Sequence, residues 1–398
     1  MLIKFKSVSR PIQLAGGMKV LPHLMRVFAR WPYREVPKAG TPDALLNILH
    51  DDGAYVLEAP WLEKQQHYGD AAELAQGLST HVVRSWFQEH SGLLWIEAAA
   101  VAFGDQIVVF VGGSRSGKSL LAACMAVNGH RAFADSILPV SIKEPLAISL
   151  GMAPRIQLPL PDELQGPLRG LIKEHLDCGG EKFGYLATRD ANLATFGQTS
   201  RIRAFVMLDR SSSVAATVSP VTSGKLLKRL LLNSFGAEIS ANELLKSAQR
   251  VIDGVPCFRM AWSDPQEAVN ALGARFAVWR SPAIDKDDHA KDAPMKVRRR
   301  PSGPRLPAGR QFCHRDGLTE EQVDTELFLV NPGGQTIYHL NGLGAGLWRL
   351  LDGTHGLDDV VTVLKDAFPT VNSEAIESDV LALVDDLADR GLLIEKAS

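Results

Sequence analysis

The chain has 398 residues, 45% of them hydrophobic, with 43 Lys and Arg against 45 Asp and Glu for a formal net charge of -2. This length supplies core for at least two domains of about 100 to 200 residues, and the near balance of charge excludes a global basic field that would recruit nucleic acid or anionic lipid. The four cysteines, Cys124, Cys178, Cys257 and Cys313, lie far apart with no C-x-x-C pair, which argues for reduced thiols and against a zinc site or a disulfide framework. Met1-Leu2-Ile3-Lys4-Phe5-Lys6 lacks the apolar core of a signal peptide, and no apolar run nears the roughly 18 residues of a spanning helix. A cytoplasmic protein with no membrane partner and no nucleic-acid partner is the expectation.

Residues 1–90 mix short apolar segments with Pro and Gly turns and carry no chemical motif, so an α/β segment packed on the following domain is expected. Ala71 to Phe87 has the apolar spacing of an amphipathic helix, with Trp86 and Phe87 placed to cover a sheet edge. His81 and His90 have no Cys or His neighbour at metal-ligand spacing and read as ordinary histidines.

From Leu93 an apolar run containing one charge, Glu97, continues to Ala102. A Gly104-Asp105 turn then leads to Ile107-Val108-Val109-Phe110-Val111, predicting a hairpin whose second strand ends in a loop. A carboxylate such as Glu97 either faces solvent at an edge or points into a site, and the run by itself favours the edge. The loop is Gly112-Gly113-Ser114-Arg115-Ser116-Gly117-Lys118-Ser119, which fits G-x-x-x-x-G-K-[ST] between a strand and a helix, the context that this motif requires. Small residues let successive N–H groups surround a phosphate at the helix N-terminus. Lys118 then reaches the terminal phosphates, and Ser119 is suited to Mg²⁺. The nucleotide-binding candidates run from Gly112 through Gly113, Ser114, Arg115, Ser116, Gly117, Lys118 and Ser119 to Leu120.

Asn128-Gly129 ends the helix, and Ala132 to Ala134 form a short strand ending in Asp135, where an acid can ligate Mg²⁺ or accept a proton from an attacking hydroxyl. Gln157-Leu158-Pro159-Leu160-Pro161 reads as extended. Ile202 to Asp209 reads as a buried strand with Asp209 as a turn residue at its end, and Ser240-x-x-Glu243 opens a structural helix over Ala241 to Ile252.

Glu97-Ala98-Ala99-Ala100-Val101, the loop Gly112 to Ser119, and Gly129-His130-Arg131-x-x-Ala134-Asp135 together resemble the HPr kinase/phosphorylase superfamily, in particular the HPr-kinase-like peptide kinases of ribosomal-peptide gene clusters. The resemblance covers about 90–280, including Glu181-Lys182, where relatives often have Asp-Lys, and Val255 to Met260 as a late core strand. It implies ATP and Mg²⁺ as cofactors, Asp135 as base, and a metal held by Ser119 and Asp135, with Lys182 balancing charge on the transferring group. It also implies a homo-oligomer, since HPr kinases are hexamers, although a fused domain can prevent that assembly. Two residues depart from the family: Ser136 follows Asp135 where HPr kinases carry a second aspartate, and Glu97 stands where they carry a histidine. Glu97 either supplies the missing carboxylate or marks a degraded site, and an active enzyme is favoured.

From Ser281 the chain becomes charged and rich in Pro and Gly, including Lys296-Val297-Arg298-Arg299-Arg300. Residues 281–304 therefore read as a solvated linker. Beyond it, Glu326 to Val330 and Thr336 to Leu340 flank Asn331-Pro332-Gly333-Gly334, a hairpin signal. Three helices follow near 342–352, 357–367 and 373–390, with Gly391 as a cap and Trp348, Leu350, Leu351, Val360, Val363, Leu364, Phe368, Leu383 and Leu387 as core. This order, with Leu340 to Trp348, Asp352-Gly353 and Asp389-Arg390-Gly391-Leu392-Leu393, resembles the PqqD family of peptide-recognition domains over 305–396. The resemblance implies a precursor leader peptide added as a strand, touching Thr336, Tyr338 and Leu340 on the third strand and Leu383 and Asp386 on the third helix.

The expected fold is α/β: an HPr-kinase-like P-loop domain at 91–280, with a mixed β-sheet and helices, behind the 1–90 segment, plus a small α+β winged-helix PqqD-like domain at 305–398. The expected function is an ATP-dependent kinase acting on a hydroxyl, serine by preference, of a ribosomal precursor peptide. A non-catalytic ATP-binding scaffold and an HPr-type regulatory kinase/phosphorylase are its rivals.

Overall fold

The structure is a computed structural model that describes residues 1–15, 18–38, 43–51, 53–187, 192–211, 214–235, 239–277 and 310–396. They form two compact units, one of residues 1–239 with 243–278 and one of 240–242 with 279–398. The expected linker, 281–304, lies outside the described residues. Among the described residues no helix is long and apolar enough to cross a membrane.

The first unit begins with β1 (Leu2–Phe5), β2 (Ile12–Leu14), α1 (Leu21–Val27), β3 (Tyr33–Val36), β4 (Leu46–Asp51), β5 (Ala54–Glu58), β6 (Gln66–Tyr68) and α2 (Ala71–Gln88). The strands pair as a six-stranded sheet in the order β3-β1-β2-β4-β5-β6. Asp70 starts α2 by accepting the Glu73 N–H at 2.7 Å, and Leu74, Leu78, Val82 and Trp86 recur at helical spacing to bury one face. Trp86 and Phe87 lie inside the core rather than over a sheet edge, with Trp86 edge-on to Trp31, which stacks on Phe196. The same core takes in Ile137, Leu150, Ala153 and Tyr185, so this segment shares its interior with later parts of the chain.

Next come β7 (Leu93–Ile96), β8 (Ala99–Phe103), β9 (Gln106–Val111), α3 (Lys118–Val127), β10 (Arg131–Ala134), β11 (Leu138–Ser141) and β12 (Leu146–Ile148). A small sheet follows, built from β13 (Arg155–Gln157), β14 (Leu176–Gly179) and β15 (Phe183–Leu186), with α4 (Gly166–His175) between its first two strands. The chain then returns as β16 (Thr199–Arg210), β17 (Thr217–Pro220), α5 (Ser223–Leu232), β18 (Ser234–Phe235), α6 (Ala241–Ile252), β19 (Cys257–Trp262) and α7 (Pro265–Ala277).

Ten of these strands make one mixed sheet, running β10-β8-β9-β16-β12-β11-β7-β18, with β19 on β16 and β17 on β19. Its centre is parallel: β16 runs alongside β9 and β19 in the same direction. Residues Ile107 to Val111 of β9 are all buried, as an interior strand covered on both faces requires. The expected β8–β9 hairpin is present, with Ala99 opposite Phe110 and Gly104 in a left-handed conformation at the turn. The single run read from Leu93 to Ala102 is instead two strands. At the break the Glu97 N–H donates to the Asn233 carbonyl at 2.7 Å, one step beyond the Ile96–Ser234 pair of β7 and β18. β7 then pairs with β11 and β18, while β8 pairs with β9 and β10.

The second unit contains β20 (Phe312–His314), β21 (Thr319–Val323), β22 (Glu326–Val330), β23 (Ile337–Leu340), α8 (Gly342–Leu350), α9 (Leu357–Ala367), α10 (Ser373–Asp389) and β24 (Leu393–Glu395). β21-β22-β23 form a three-stranded sheet, and β20 pairs with β24. The three helices and the β22–β23 hairpin match the sequence reading closely. β21 has no apolar run to mark it in the sequence, and only its partner β22 is buried throughout. Trp348, Leu351, Val360 and Leu387 are core as expected, and Leu350, Leu364 and Leu383 pack against it. Val363 and Phe368 are not core: they are 47% and 42% exposed, since α9 buries the face carrying Leu357, Val360 and Val361.

Candidate functional site

The phosphate-type loop follows β9 at the carboxyl end of the parallel strands, where α/β sheets place their ligands. Gly117 opens α3 at φ +91°, a left-handed conformation that costs glycine nothing. A Cβ there would also stand 2.3 Å from Trp262 Cζ2 at the end of β19, so the indole and the backbone both require glycine. Arg115 is left-handed as well, at φ +64°, and its side chain is exposed.

Lys118 is 8% exposed and curls back over its own loop, donating to the Gly112 carbonyl at 2.8 Å and the Gly113 carbonyl at 3.2 Å. The Glu97 carboxylate stands 3.3 Å from the same ammonium. Glu97 is therefore not the edge residue that its own run suggested, because the break between β7 and β8 turns it to the loop. The Ser119 hydroxyl donates to Asp135 Oδ1 at 2.7 Å, and the Arg155 N–H donates to Oδ2 at 2.8 Å. Asp135 is thus buried, at 5% exposure, with both oxygens oriented from opposite sides. Ser136 follows at φ +70°, turning the chain away immediately after the carboxylate.

The structure thus gathers Glu97, Lys118, Ser119 and Asp135 around one loop. Lys182 is not among them. It lies between β14 and β15 with its side chain 68% exposed, and its ammonium pairs with Glu73 at 2.5 Å, which raises its pKa. Asp209 pairs with Arg259 at the end of β16. Cys124 sits in α3 behind the loop, and burial pushes its thiol up to about 12, which leaves it inert.

No motif in the sequence identified Asn233, yet it ties the site together. Its Nδ2 donates to the Gly112 carbonyl at 2.9 Å while its own carbonyl accepts the Glu97 N–H, so one 7% exposed residue fixes the loop and the strand break together. Asn233→Leu removes the donor and leaves that part of the Gly112 carbonyl's bonding unmet. Lys118 still donates to that carbonyl, so the loss is one hydrogen bond of about 0.5–1.5 kcal/mol, and thermal unfolding of the full chain should register a loss of that order.

A magnesium ion bound by a nucleotide site keeps several waters and takes only one or two protein oxygens. The adjacent Ser119 hydroxyl and Asp135 carboxylate fit that habit. Among the described residues no group of three or more His, Cys, Asp or Glu forms a metal cage.

In the second unit β23 pairs with β22 and is an end strand of its sheet. Tyr338 is half-buried beneath the Arg390 guanidinium, 5.4 Å from the ring centre, and Arg390 bonds Asp386 at 2.8 Å. Tyr338 and Asp386 are therefore joined through one arginine, and Leu383 packs beside the core. Thr336 precedes the strand, and its N–H donates to Asn331 Oδ1 at 3.0 Å. Leu340 is 7% exposed and belongs to the core, so its side chain does not face a guest strand.

The strand, glycine-lysine loop and helix define the first unit as a P-loop α/β unit. Residues 326–393 match the family described as coenzyme PQQ synthesis protein D (PqqD), so a PqqD domain lies at the C-terminal end. No curated protein matches the chain. Among solved structures, the chain is similar to TbiB1 in complex with the TbiA(beta) leader peptide, at 22% identity over 22% of this chain and 99% of that one, with a TM-score of 0.20. It is also similar to the HPr(Ser) kinase/phosphatase from Coxiella burnetii, at 9% identity over 45% of this chain and 94% of that one, with a TM-score of 0.23.

Proposed function

We propose that the chain is an ATP-dependent kinase that phosphorylates a hydroxyl, serine by preference, on a ribosomally made precursor peptide held by its own PqqD domain. The observation that carries this reading is the pairing of Ser119 with a buried, oriented Asp135 beside the Lys118 loop. The loop amides and Lys118 hold the nucleotide phosphates. Mg²⁺, held by Ser119 and Asp135, neutralises phosphate charge when bound. Once the Ser119 hydroxyl turns from Asp135 Oδ1, that oxygen is available to take the proton of the attacking hydroxyl. Glu97 keeps Lys118 charge-balanced until a triphosphate displaces it. The PqqD domain supplies the acceptor, and tethering raises its effective concentration so that the kinase site need not bind the acceptor tightly.

The test is to incubate the full chain with ATP, Mg²⁺ and synthetic peptides encoded by short reading frames beside its gene, with mass spectrometry as the readout. A phosphate adduct that disappears in Asp135→Asn supports the proposal. Nucleotide binding that depends on Lys118, with no adduct under any divalent metal, would instead establish a scaffold that presents the peptide to another enzyme. Ser136 in place of a second aspartate is the feature that favours this rival. Leader capture is tested separately. Tyr338→Ala also removes the ring beneath Arg390 and should weaken binding of a fluorescent leader to the full chain about tenfold, roughly 1.4 kcal/mol. Unchanged binding would remove the β23 edge from the proposal.

A further inference from the structure

Arg229 lies in the last turn of α5, four residues before the Asn233 that anchors the loop through Gly112. Its Nη1 stands 3.6 Å from where a Cβ on Gly113 would be, so the guanidinium lies over the second residue of the loop. That part of the loop is also where the Lys118 ammonium rests, on the Gly112 and Gly113 carbonyls. A P-loop lysine serves the terminal phosphates of its nucleotide, so Arg229 borders the same end. Lys118 is neutralised by Glu97, but Arg229 forms no hydrogen bond or ion pair with any described residue. It is half-buried, and its helix is pinned by the buried Leu226, Leu227 and Leu230.

A cation held over a phosphate loop with no anion to meet it among the described residues is suited to an anion that arrives with the ligand. We propose that Arg229 is a catalytic residue that contacts the terminal phosphate of bound ATP and stabilises its charge during transfer. In that step the bond from the γ-phosphorus to the β–γ bridging oxygen breaks and a bond to the peptide hydroxyl oxygen forms. ADP leaves with the electron pair, and the hydroxyl proton passes to Asp135. Arg229 forms no covalent bond: its planar fork pairs with two phosphate oxygens, whose charge is spread over the transferring group. The inference rests on the nucleotide reading of the loop.

The experiment compares the full-length wild type with Arg229→Ala, Arg229→Lys and, as a control on the same helix, the exposed Lys228→Ala. Equilibrium affinities for ATP and for ADP, both with Mg²⁺, are measured beside the melting temperature. Arg229→Ala should weaken ATP binding about tenfold or more while leaving ADP within about twofold, because only ATP presents the group that the guanidinium contacts. Arg229→Lys should recover part of the loss, Lys228→Ala should change neither affinity, and phosphopeptide formation by Arg229→Ala should fall by about 10³-fold. Equal losses for ATP and ADP, no loss for either, or a fall in melting temperature alone would assign Arg229 to the helix and overturn the proposal. If the wild type binds ATP but transfers nothing, the kinase reading fails, and the ratio of ATP to ADP affinity still decides the arginine. If the wild type binds no nucleotide, both fail.

Discussion

Asp135→Asn should leave ATP affinity within a few-fold of wild type and lower the transfer rate by about 10²–10⁴, the range over which a positioned proton acceptor contributes. The substitution is nearly isosteric. The amide oxygen can still accept from Ser119 or from the Arg155 N–H, which hold the two carboxylate oxygens at 2.7 and 2.8 Å. With the amide oxygen on the Arg155 N–H, the NH₂ meets the Ser119 hydroxyl, which can rotate to accept, so both contacts are kept with one reversed in direction. Asp135→Ala would lose both contacts and confuse chemistry with collapse, so asparagine is the informative change. Single-turnover transfer to a synthetic precursor, beside ATP titration of the same sample, separates the two effects. A rate that holds while affinity falls would make Asp135 a metal ligand only.

The parts of the site that were legible in the sequence are those encoded locally. The glycine-lysine loop must be contiguous to wrap a phosphate, and β9 and α3 announce themselves by an unbroken buried run and by small, helix-forming residues. Asp135 was legible because a short strand ends there. The direction of Glu97 was not, since it depends on a carbonyl at Asn233, far along the chain, that holds the backbone where β7 ends. Lys182 was placed at the site by a dipeptide resemblance that carried no geometry, and the structure gives its ammonium to Glu73 instead. The same limit appears in the C-terminal unit. Apolar content located α9, but only the angular positions of Leu357, Val360 and Val361 face the core, which leaves Val363 and Phe368 outside.

These long-range ties have a common form. β9, β16 and β19 run parallel, so their carboxyl ends come together, and each delivers something to the loop: the loop itself, the Leu208 carbonyl 3.2 Å from where a Gly112 Cβ would sit, and the Trp262 indole under Gly117. α5, in the crossover between β16 and β19, adds Arg229 and leads into Asn233. The loop conformation is therefore set from three sides by packing, before any ligand is present. That is the preorganisation a phosphate site needs if binding is not to cost the ordering of its own backbone.

Gly117→Ala should be strongly damaging to both the fold and the site. At φ +91° an L-residue carries a backbone penalty of about 1–2 kcal/mol. The added Cβ would also lie 2.3 Å from Cζ2 and 2.8 Å from Cη2 of Trp262, a fully buried ring with no free space to retreat into. Overpacking of that kind costs about a further 1–3 kcal/mol. The alternative is that α3 shifts, which drags Lys118 and Ser119 from their partners. ATP binding should then be lost even in protein that still folds, and the melting temperature should fall. Trp262→Phe removes the outer part of the indole and can be made without breaking a hydrogen bond, since Nε1 has none among the described residues. Its main cost is the burial lost and the space left by a fully buried ring, to which the weaker stacking of Arg210, 5.3 Å from the ring centre, adds about 0.5–1 kcal/mol. The double substitution Gly117→Ala with Trp262→Phe should therefore be more stable than the sum of the singles predicts, a coupling of about 0.5–3 kcal/mol typical of touching residues. Simple additivity in the unfolding free energies would show that the indole does not set the loop, and that the backbone angle alone accounts for the glycine.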